Sequence, residues 1–130
     1  MEGISILLVD DNEDDRFLTM RILGKLTLDV RVDIARNGDE ALAILAARGE
    51  ADLPAAVMLD LQMPKIGGIK LLGRIRELFS QEQLPAIVLS SSENPADVAA
   101  CRELGITAYL PKPLDLATLR EALAPLLTSP

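Results

Sequence analysis

Histidine is absent from this chain of 130 residues, and cysteine occurs only once. Without histidine there is no Ser-His-Asp triad, no Cys-His pair and no His-ligated zinc site. A single cysteine excludes disulfides within the chain as well as cysteine-based zinc or iron–sulfur sites. These absences leave carboxylates, hydroxyls and amines as the candidate chemical groups.

Aromatic residues and positive charge are also scarce. The three aromatic residues Phe17, Phe79 and Tyr109 are too few for a base-stacking surface, and the net charge of −7 disfavours binding to a phosphate backbone, so we expect no nucleic-acid partner. The first three residues carry no basic charge, and no apolar run approaches the roughly 18 residues that a membrane span requires. The sequence therefore predicts a cytoplasmic protein without a membrane partner.

The chain has the length of one ordinary domain and contains no Ser/Gly linker or low-complexity tract. Short apolar runs alternate with longer amphipathic stretches, which predicts five strands and five helices in a (βα)5 order. The predicted strands are Ile4–Val9, Val30–Ala35, Ala55–Leu59, Pro85–Leu89 and Thr107–Leu110. The predicted helices are Asp14–Leu26, Gly38–Arg48, a segment between Gly68 and Ser80, a segment from Asn94 to Leu104, and Leu116–Leu126.

This alternation is typical of a doubly wound, flavodoxin-like α/β fold, with a five-stranded parallel sheet and helices on both faces. Within the first helix, Leu18, Ile22 and Leu26 share one face and are predicted to point inward. In the fourth helix, Cys101 lies on the predicted inner stripe and is expected to be a core residue. Folds of this class place their sites at the carboxyl ends of the strands.

Chemical groups follow the predicted strands at that edge. Asp10 and Asp11 follow the first strand, Asp60 the third, Ser90 the fourth, and Lys112 the fifth. Crowded carboxylates repel one another unless a cation lies among them, and oxygen ligands with access to water suit Mg²⁺. A hydroxyl and an ammonium can contact the remaining oxygens of a phosphoryl group. The pattern predicts phosphoryl transfer with a carboxylate as nucleophile.

Other polar residues near these positions have simpler interpretations. Glu13, Asp14 and Asp15 are expected to be ordinary acids in the first turn of a helix, where the helix dipole favours negative charge. Taken without a family comparison, Tyr109 is expected to be a half-buried packing residue.

Four motifs, in their order and spacing, resemble the receiver domain of two-component response regulators: L-L-V-D-D-N-E-D-D, V-M-L-D-L-Q-M-P-K-I-G-G, I-V-L-S-S-S and A-Y-L-P-K-P-L. The resemblance covers about residues 4–127. It implies that Asp60 is the phosphoacceptor and that Asp10 and Asp11 form the acidic pair. It also implies that Mg²⁺ is bound by Asp11, Asp60 and the backbone carbonyl of Gln62, with Asp10 acting through water.

The same resemblance implies that Ser90 closes on the phosphoryl group, that Lys112 is its ion-pair partner, and that Tyr109 is the aromatic switch residue. Two positions depart from the commonest family pattern. Gly67-Gly68 replaces Asp-Gly or Ser-Gly and leaves a weaker N-cap on the third helix. Serine at position 90 replaces threonine, which keeps the hydroxyl and drops a methyl group.

The resemblance implies a single-domain response regulator, spanning residues 1–130 with no output domain, rather than an enzyme that turns over a metabolite. Its expected partner is a sensor histidine kinase or a histidine phosphotransfer protein. We also expect a homodimer through the face formed by residues 95–127, whose helices offer small outer residues.

Two alternatives come from other functional classes. A Mg²⁺-dependent aspartyl-phosphate phosphatase of the haloacid dehalogenase type would need Asp-x-Asp, but the triplet here is Asp60-Leu61-Gln62, which lacks the general acid. A flavodoxin-like nucleotide binder would need a Gly- or Ser/Thr-rich phosphate loop after the first strand, where this chain has acids that repel phosphate.

Overall fold

The computed structural model describes residues 4–26, 29–63, 67–91 and 94–127. Its strands are β1 Ile4–Val9, β2 Val30–Ala35, β3 Ala56–Asp60, β4 Ala86–Ser90 and β5 Ala108–Pro111. Its α-helices are α1 Glu13–Leu23, α2 Gly38–Arg48, α3 Gly68–Leu78, α4 Pro95–Leu104 and α5 Leu116–Leu127, and a 3₁₀ turn covers Glu50–Asp52. All strand pairs are parallel, and the sheet order is β2-β1-β3-β4-β5.

One face of the sheet packs against α2, α3 and α4. Leu7 of β1 and Leu59 of β3 belong to a buried apolar cluster with Leu45, Leu72 and Cys101, one from each of these three helices. Strand residues that alternate in sequence point to the same face, which is why this cluster draws on every second strand position. The burial of Cys101 confirms its assignment to the core.

The opposite face packs against α1 and α5. Leu8 and Met58 of the sheet are buried with Leu23 of α1 and with Leu119 and Leu123 of α5. Helices therefore cover both faces, which confirms the doubly wound (βα)5 fold predicted from the sequence. Along the described parts of the chain, no helix has the length and apolar character that a bilayer crossing needs.

Strands β3, β4 and β5 begin and end one residue later than the sequence predicted. The parallel ladder continues through Asp60, which pairs with Leu89, and through Ser90, which pairs with Pro111. The prediction followed the apolar runs, whereas ladder hydrogen bonds use backbone groups and do not require an apolar side chain. Asp60 and Ser90 are consequently the last residues of their strands, and the sheet itself fixes their backbones.

Helix α1 is shorter than predicted. It begins at Glu13 because the side chain of Asn12 accepts a hydrogen bond from the backbone N–H of Asp15 at 2.9 Å and so caps the helix. It ends just before Gly24, whereas the sequence prediction extended to Leu26. The helix therefore begins one residue earlier and ends three residues earlier than the apolar spacing predicted.

The predicted inner face of α1 was also wrong at Leu18, whose side chain is 52% exposed. The buried residues of the helix are Thr19 and Leu23, which are four positions apart. Asp15 lies one turn before Thr19 and therefore on the same side of the helix. Ile22 and Leu26 do pack against the core of this face, as predicted, so the apolar spacing was wrong only at Leu18. Thr19 takes the inward position in its place, and the inward side carries an acid at its start.

Helix α3 begins where the chain passes very close to the end of β3. Gly67 has a positive φ of 75° and provides no side-chain cap, which confirms the weaker N-cap expected for this helix. At Gly68, a Cβ atom would lie 2.4 Å from Cα of Leu61 and 2.5 Å from the carbonyl oxygen of Asp60. Only glycine permits this approach, so Gly68 keeps the segment after Asp60 in place.

We predict that Gly68→Ala lowers the free energy of unfolding by about 2 kcal/mol, because the added methyl meets backbone atoms that have no rotamer to change. Gly73→Ala is the matched control in the same helix, since nothing lies within 4 Å of the position of its Cβ. The control is expected to gain about 0.5 kcal/mol from better helix propensity. Urea unfolding measures both, and equal effects of the two substitutions would contradict the steric argument.

Candidate functional site

The site lies at the carboxyl edge of the sheet and is organised around one amine. The Nζ atom of Lys112, which follows β5, lies 2.9 Å from Oδ2 of Asp60 and 2.9 Å from Oδ2 of Asp15. It also lies 3.6 Å from Oδ2 of Asp10. Residues from β3, α1 and the ends of β1 and β5 thus converge as parallel strand topology requires.

The position of Lys112 is fixed through its backbone as well as its side chain. Its N–H donates a hydrogen bond to the carbonyl oxygen of Ser90 at 3.1 Å, which ties the segment after β5 to the end of β4. The residue lies between Pro111 and Pro113, and the Lys112–Pro113 peptide bond is cis. The amine therefore reaches Asp60 from a backbone that is anchored to the neighbouring strand.

The surroundings of Lys112 favour its charged form. Burial by itself would lower the pKa of the amine, but the hydrogen bonds to Asp60 and Asp15 and the charge of Asp10 outweigh burial and raise its pKa above the ordinary value. Lys112 is thus a permanent cation at physiological pH. It is held where negative charge is most concentrated.

Asp10 is a fully buried carboxylate with one oxygen unused. Its Oδ1 accepts a hydrogen bond from the backbone N–H of Asn12 at 3.0 Å, while its Oδ2 has no hydrogen-bond partner among the described residues. Burial raises the pKa of Asp10 above its ordinary value of 3.8, whereas the Asn12 N–H and the Lys112 charge act to lower it. A buried, unsatisfied carboxylate oxygen is costly, so this atom is a ready ligand for water or a cation.

Asp15 belongs to the site, although the sequence analysis interpreted it as an ordinary first-turn acid. Its carboxylate hydrogen-bonds Lys112 and lies with those of Asp10 and Asp60 in a group whose oxygens are within 4.8 Å of one another. The burial of Thr19 and Leu23 on the same side of α1 explains why it turns inward. The sequence signal that could have found it is the spacing of Asp15, Thr19 and Leu23 at intervals of four.

Asp11 is exposed and lies outside the group of three contacting carboxylates. It nevertheless lines a cavity of about 720 Å³ together with Asp60 and Gln62. The side chain of Gln62 accepts a hydrogen bond from the Ser91 hydroxyl at 2.6 Å, which links the segments after β3 and β4 beside Asp60. The structure therefore brings the sequence-predicted metal set Asp11, Asp60 and Gln62 to one cavity, with Asp10 buried behind it.

Ser90 and Tyr109 lie on the same face of the sheet. Tyr109 pairs with Val88 in the parallel register, and Ser90 follows Val88 by two positions. Ser90 is buried, and Tyr109 is half-buried against the cluster of α2, α3 and α4. The packing role expected for Tyr109 is confirmed, and its placement beside β4 is what a switch driven by Ser90 would need.

The donor set fits a hard divalent cation. Asp10, Asp15 and Asp60 bring three carboxylates to within 4.0 Å of Lys112, and Asp11, Asp60 and Gln62 line the adjoining cavity. The single ammonium of Lys112 leaves excess negative charge in a partly buried space. Part of that charge lies on Oδ2 of Asp10, which is buried and has no hydrogen-bond partner among the described residues. Oxygen ligands with water access are those that Mg²⁺ and similar ions prefer.

Comparison with known proteins gives a consistent result. The chain matches the response regulator receiver domain family over residues 6–124. It is similar to the response regulator Rcp1 of Synechocystis sp., with 36% identity over 117 residues that cover 88% of this chain and 80% of Rcp1.

Solved structures of response regulators are similar over nearly the whole chain. The bacteriophytochrome response regulator AtBRR has a TM-score of 0.81 and 33% identity, covering 99% of this chain and 96% of its own. The Mn²⁺-bound form of Rcp1 has a TM-score of 0.75 and 33% identity, covering 95% and 91% of the two chains. The phosphorylated cyanobacterial phytochrome response regulator RcpA has a TM-score of 0.77 and 31% identity, covering 96% and 91%.

We predict that Asp10→Asn raises the free energy of unfolding of the metal-free protein at neutral pH by about 1 kcal/mol. The amide keeps the acceptor for the Asn12 N–H and removes a buried charge. Because the pKa of Asp10 is raised in the folded state, protonation of Asp10 stabilises the fold at low pH, and this contribution is lost as the pH rises through the raised pKa.

The difference between Asp10→Asn and wild type should therefore be small below pH 3.8 and grow as the pH rises above that value. Denaturant unfolding in EDTA, repeated at intervals of about half a pH unit from pH 3 to 7, measures this difference in the free energy of unfolding. Asp52→Asn, a substitution of an exposed acid before β3, serves as the control. A difference that does not change with pH would contradict the assigned cause.

Proposed function

The chain belongs to the response regulator receiver domain family, and from this premise we propose that Asp60 is its phosphoacceptor. Receiver domains of response regulators receive phosphoryl groups from histidine kinases. For this chain, we propose that the donor is the phosphohistidine of a sensor histidine kinase or of a histidine phosphotransfer protein. The observation that carries the proposal is the 2.9 Å contact between Lys112 Nζ and Asp60 Oδ2, two residues that line one cavity with Asp11 and Asp15.

In the transfer step, a carboxylate oxygen of Asp60 attacks phosphorus and forms a P–O bond. The P–N bond of the phosphohistidine breaks, and its electron pair returns to the imidazole nitrogen. The imidazole ring keeps the proton on its other nitrogen and leaves as neutral histidine. The product is an aspartyl phosphate, a mixed anhydride that water later hydrolyses to the carboxylate and inorganic phosphate.

Lys112 and Ser90 are proposed to contact the transferred group. The ammonium of Lys112 has three N–H donors, and two of them are used on Asp60 and Asp15. The remaining N–H makes no hydrogen bond within the described part of the chain and is free for a phosphoryl oxygen. The Ser90 hydroxyl is proposed to close on the same group, and Tyr109, on the same face of the sheet, to turn inward in response.

We propose that Mg²⁺ is bound by Asp11, Asp60 and the backbone carbonyl of Gln62, with Asp10 acting through water. The Mn²⁺-bound form of Rcp1 supports a divalent ion in a protein of this family. A divalent ion supplies positive charge that stabilises the phosphoryl oxygens during transfer. The residues of this chain provide the orientation: the backbone of Asp60 is held in β3, and Gln62 donates its N–H to Asp60 Oδ1 at 3.0 Å.

The phosphatase alternative is not favoured. Gln62 occupies the place where such an enzyme needs an acid, and an amide cannot protonate a leaving group. Phosphorylation and dephosphorylation of the chain's own aspartate, without turnover of a metabolite, is therefore the activity we propose. The single-domain organisation and the cytoplasmic location expected from the sequence stay predictions.

Incubation with Mg²⁺ and acetyl phosphate should add one phosphate to the protein, and Asp60→Asn should abolish the adduct because an amide is a poor nucleophile. Intact-mass spectrometry detects it, and hydroxylamine should remove it because an acyl phosphate is reactive toward amines. Asp52→Asn, remote from the site, is expected to behave as wild type. A hydroxylamine-resistant adduct on Ser90 or Ser91 would overturn the assignment.

Removal of Asp11 should weaken Mg²⁺ binding about tenfold or more, whereas Asp10→Ala should have a smaller effect because Asp10 acts through water. Calorimetry is the suitable measurement, since the chain contains no tryptophan whose fluorescence could report binding. Equal Mg²⁺ affinity of wild type and Asp11→Ala would show that the proposed ligand set is wrong.

We further propose that the face formed by residues 95–127 mediates a homodimer. Ala96 on α4 and Ala117 on α5 are exposed small residues, and Ala100 is half-buried nearby on α4. Small side chains allow close approach of two helical surfaces. We propose that phosphorylation of Asp60 changes this face through the movements of Ser90 and Tyr109.

Light scattering before and after phosphorylation should detect the dimer, and Ala117→Glu should shift it toward monomer by placing like charges across the two-fold axis. Ala43→Glu, on the exposed side of α2, is the control and should leave the dimer intact. A monomer in both states at high concentration would rule out the dimer. A dimer that survives Ala117→Glu would place the interface elsewhere.

A further inference from the structure

The least expected contact in the site is the one between Asp15 and Lys112. The two side chains are separated by 97 positions in sequence, and their 2.9 Å hydrogen bond equals in length the bond between Lys112 and Asp60. Asp15 comes from the first turn of α1, outside the strand ends that supply the other acids. Lys112 is therefore held from two sides, by the proposed nucleophile in β3 and by a helix.

Asp15 differs from the other two carboxylates in its exposure. Its side chain is 39% exposed, whereas those of Asp60 and Asp10 are 4% and 0% exposed. A partly exposed carboxylate is a modest contributor to stability. We therefore expect the contact between Asp15 and Lys112 to affect the direction of the amine more than the free energy of unfolding.

Without Asp15, the amine would have Asp60 and Asp10 as its remaining partners. Asp10 is buried and its unsatisfied Oδ2 lies 3.6 Å from Nζ, so the ammonium would move toward Asp10 and use its third N–H there. With Asp15 present, one N–H is directed toward α1 and another toward Asp60. The third N–H makes no hydrogen bond within the described residues and can contact a phosphoryl oxygen.

We propose that Asp15 is a positioning residue for phosphorylation: its carboxylate holds the Lys112 ammonium away from Asp10, which keeps one N–H for the transferred phosphoryl group. This inference rests on the proposed function of Asp60 and adds a residue that acts through Lys112. Asp15 touches neither the donor nor the transferred group in this role.

The test compares Asp15→Asn with Asp14→Asn. Both substitutions remove one negative charge from the first turn of α1, but Asp14 is exposed and does not contact Lys112. At saturating Mg²⁺ and a fixed concentration of acetyl phosphate, we expect Asp15→Asn to be phosphorylated about fivefold more slowly than wild type. Asp14→Asn should stay within about twofold of wild type.

Two further measurements separate positioning from other roles. The Mg²⁺ concentration that gives half the maximal rate should be unchanged in Asp15→Asn, and a large increase would show that Asp15 is a metal ligand instead. In a Lys112→Met background, Asp15→Asn should cause no further loss of the residual rate. A further loss there would show that Asp15 does not act through the lysine and would overturn the proposal.

The outcomes also distinguish this inference from the proposed function. If Asp60→Asn is still phosphorylated, the assignment of the phosphoacceptor is wrong. If wild type is phosphorylated on Asp60 but Asp15→Asn reacts as fast as Asp14→Asn, the role of Asp15 alone is wrong. Equal free energies of unfolding of the two variants, measured in urea, would show that a rate difference does not arise from loss of folded protein.

Discussion

The charge balance around Lys112 is the constraint on which the site depends. Two carboxylates, Asp10 and Asp60, are almost fully buried at the edge of the sheet, and burial of an uncompensated charge is strongly unfavourable. Lys112 is the amine that reaches both, and Asp15 shares it from the outside. The arrangement leaves an excess of negative charge, which fits the divalent ion that receiver domains bind.

The parallel sheet is what allows this concentration of charge. Each strand delivers its last residue to the same edge, and the neighbouring strand fixes its backbone, as the pairings of Asp60 with Leu89 and of Ser90 with Pro111 show. The bond from Lys112 N–H to the Ser90 carbonyl extends this order beyond β5. Gly68 completes the frame, because its lack of a side chain lets α3 start directly against the residue that follows Asp60.

Most of the fold was predictable because its signals are local. Apolar runs identified all five strands, and the predicted helix ends at Arg48 and Leu104 are confirmed, since Gly49 and Gly105 cap α2 and α4. The predicted ends of β3 and β4 were one residue too early, at the last apolar residue. The backbone of a polar residue can also pair in the ladder, and Asp60 and Ser90 do so. Convergence of Asp10, Asp60 and Lys112 followed from topology and needed no knowledge of side-chain conformation.

Asp15 could not be assigned in the same way. Whether an acid in a first turn faces solvent or the site depends on the rotation of the helix, and in α1 that rotation is set by Thr19 and Leu23 rather than by the more apolar Leu18. A difference of one residue turns a helix by about 100°, which is enough to exchange the inward and outward faces. The spacing of Asp15, Thr19 and Leu23 at intervals of four is compatible with the inward orientation, but tertiary packing against β1 and α5 decides between the two faces.

The most direct test of the charge-balance account is a double-mutant cycle between Lys112 and Asp60, with the free energy of unfolding measured in EDTA. Lys112→Met should destabilise the wild-type protein by about 3 kcal/mol, because it leaves buried carboxylates without their cation. In an Asp60→Asn background, the same substitution should cost about 1 kcal/mol, since one of those charges is gone. Equal losses in the two backgrounds would contradict the account, because they would show that Lys112 does not stabilise the fold through Asp60.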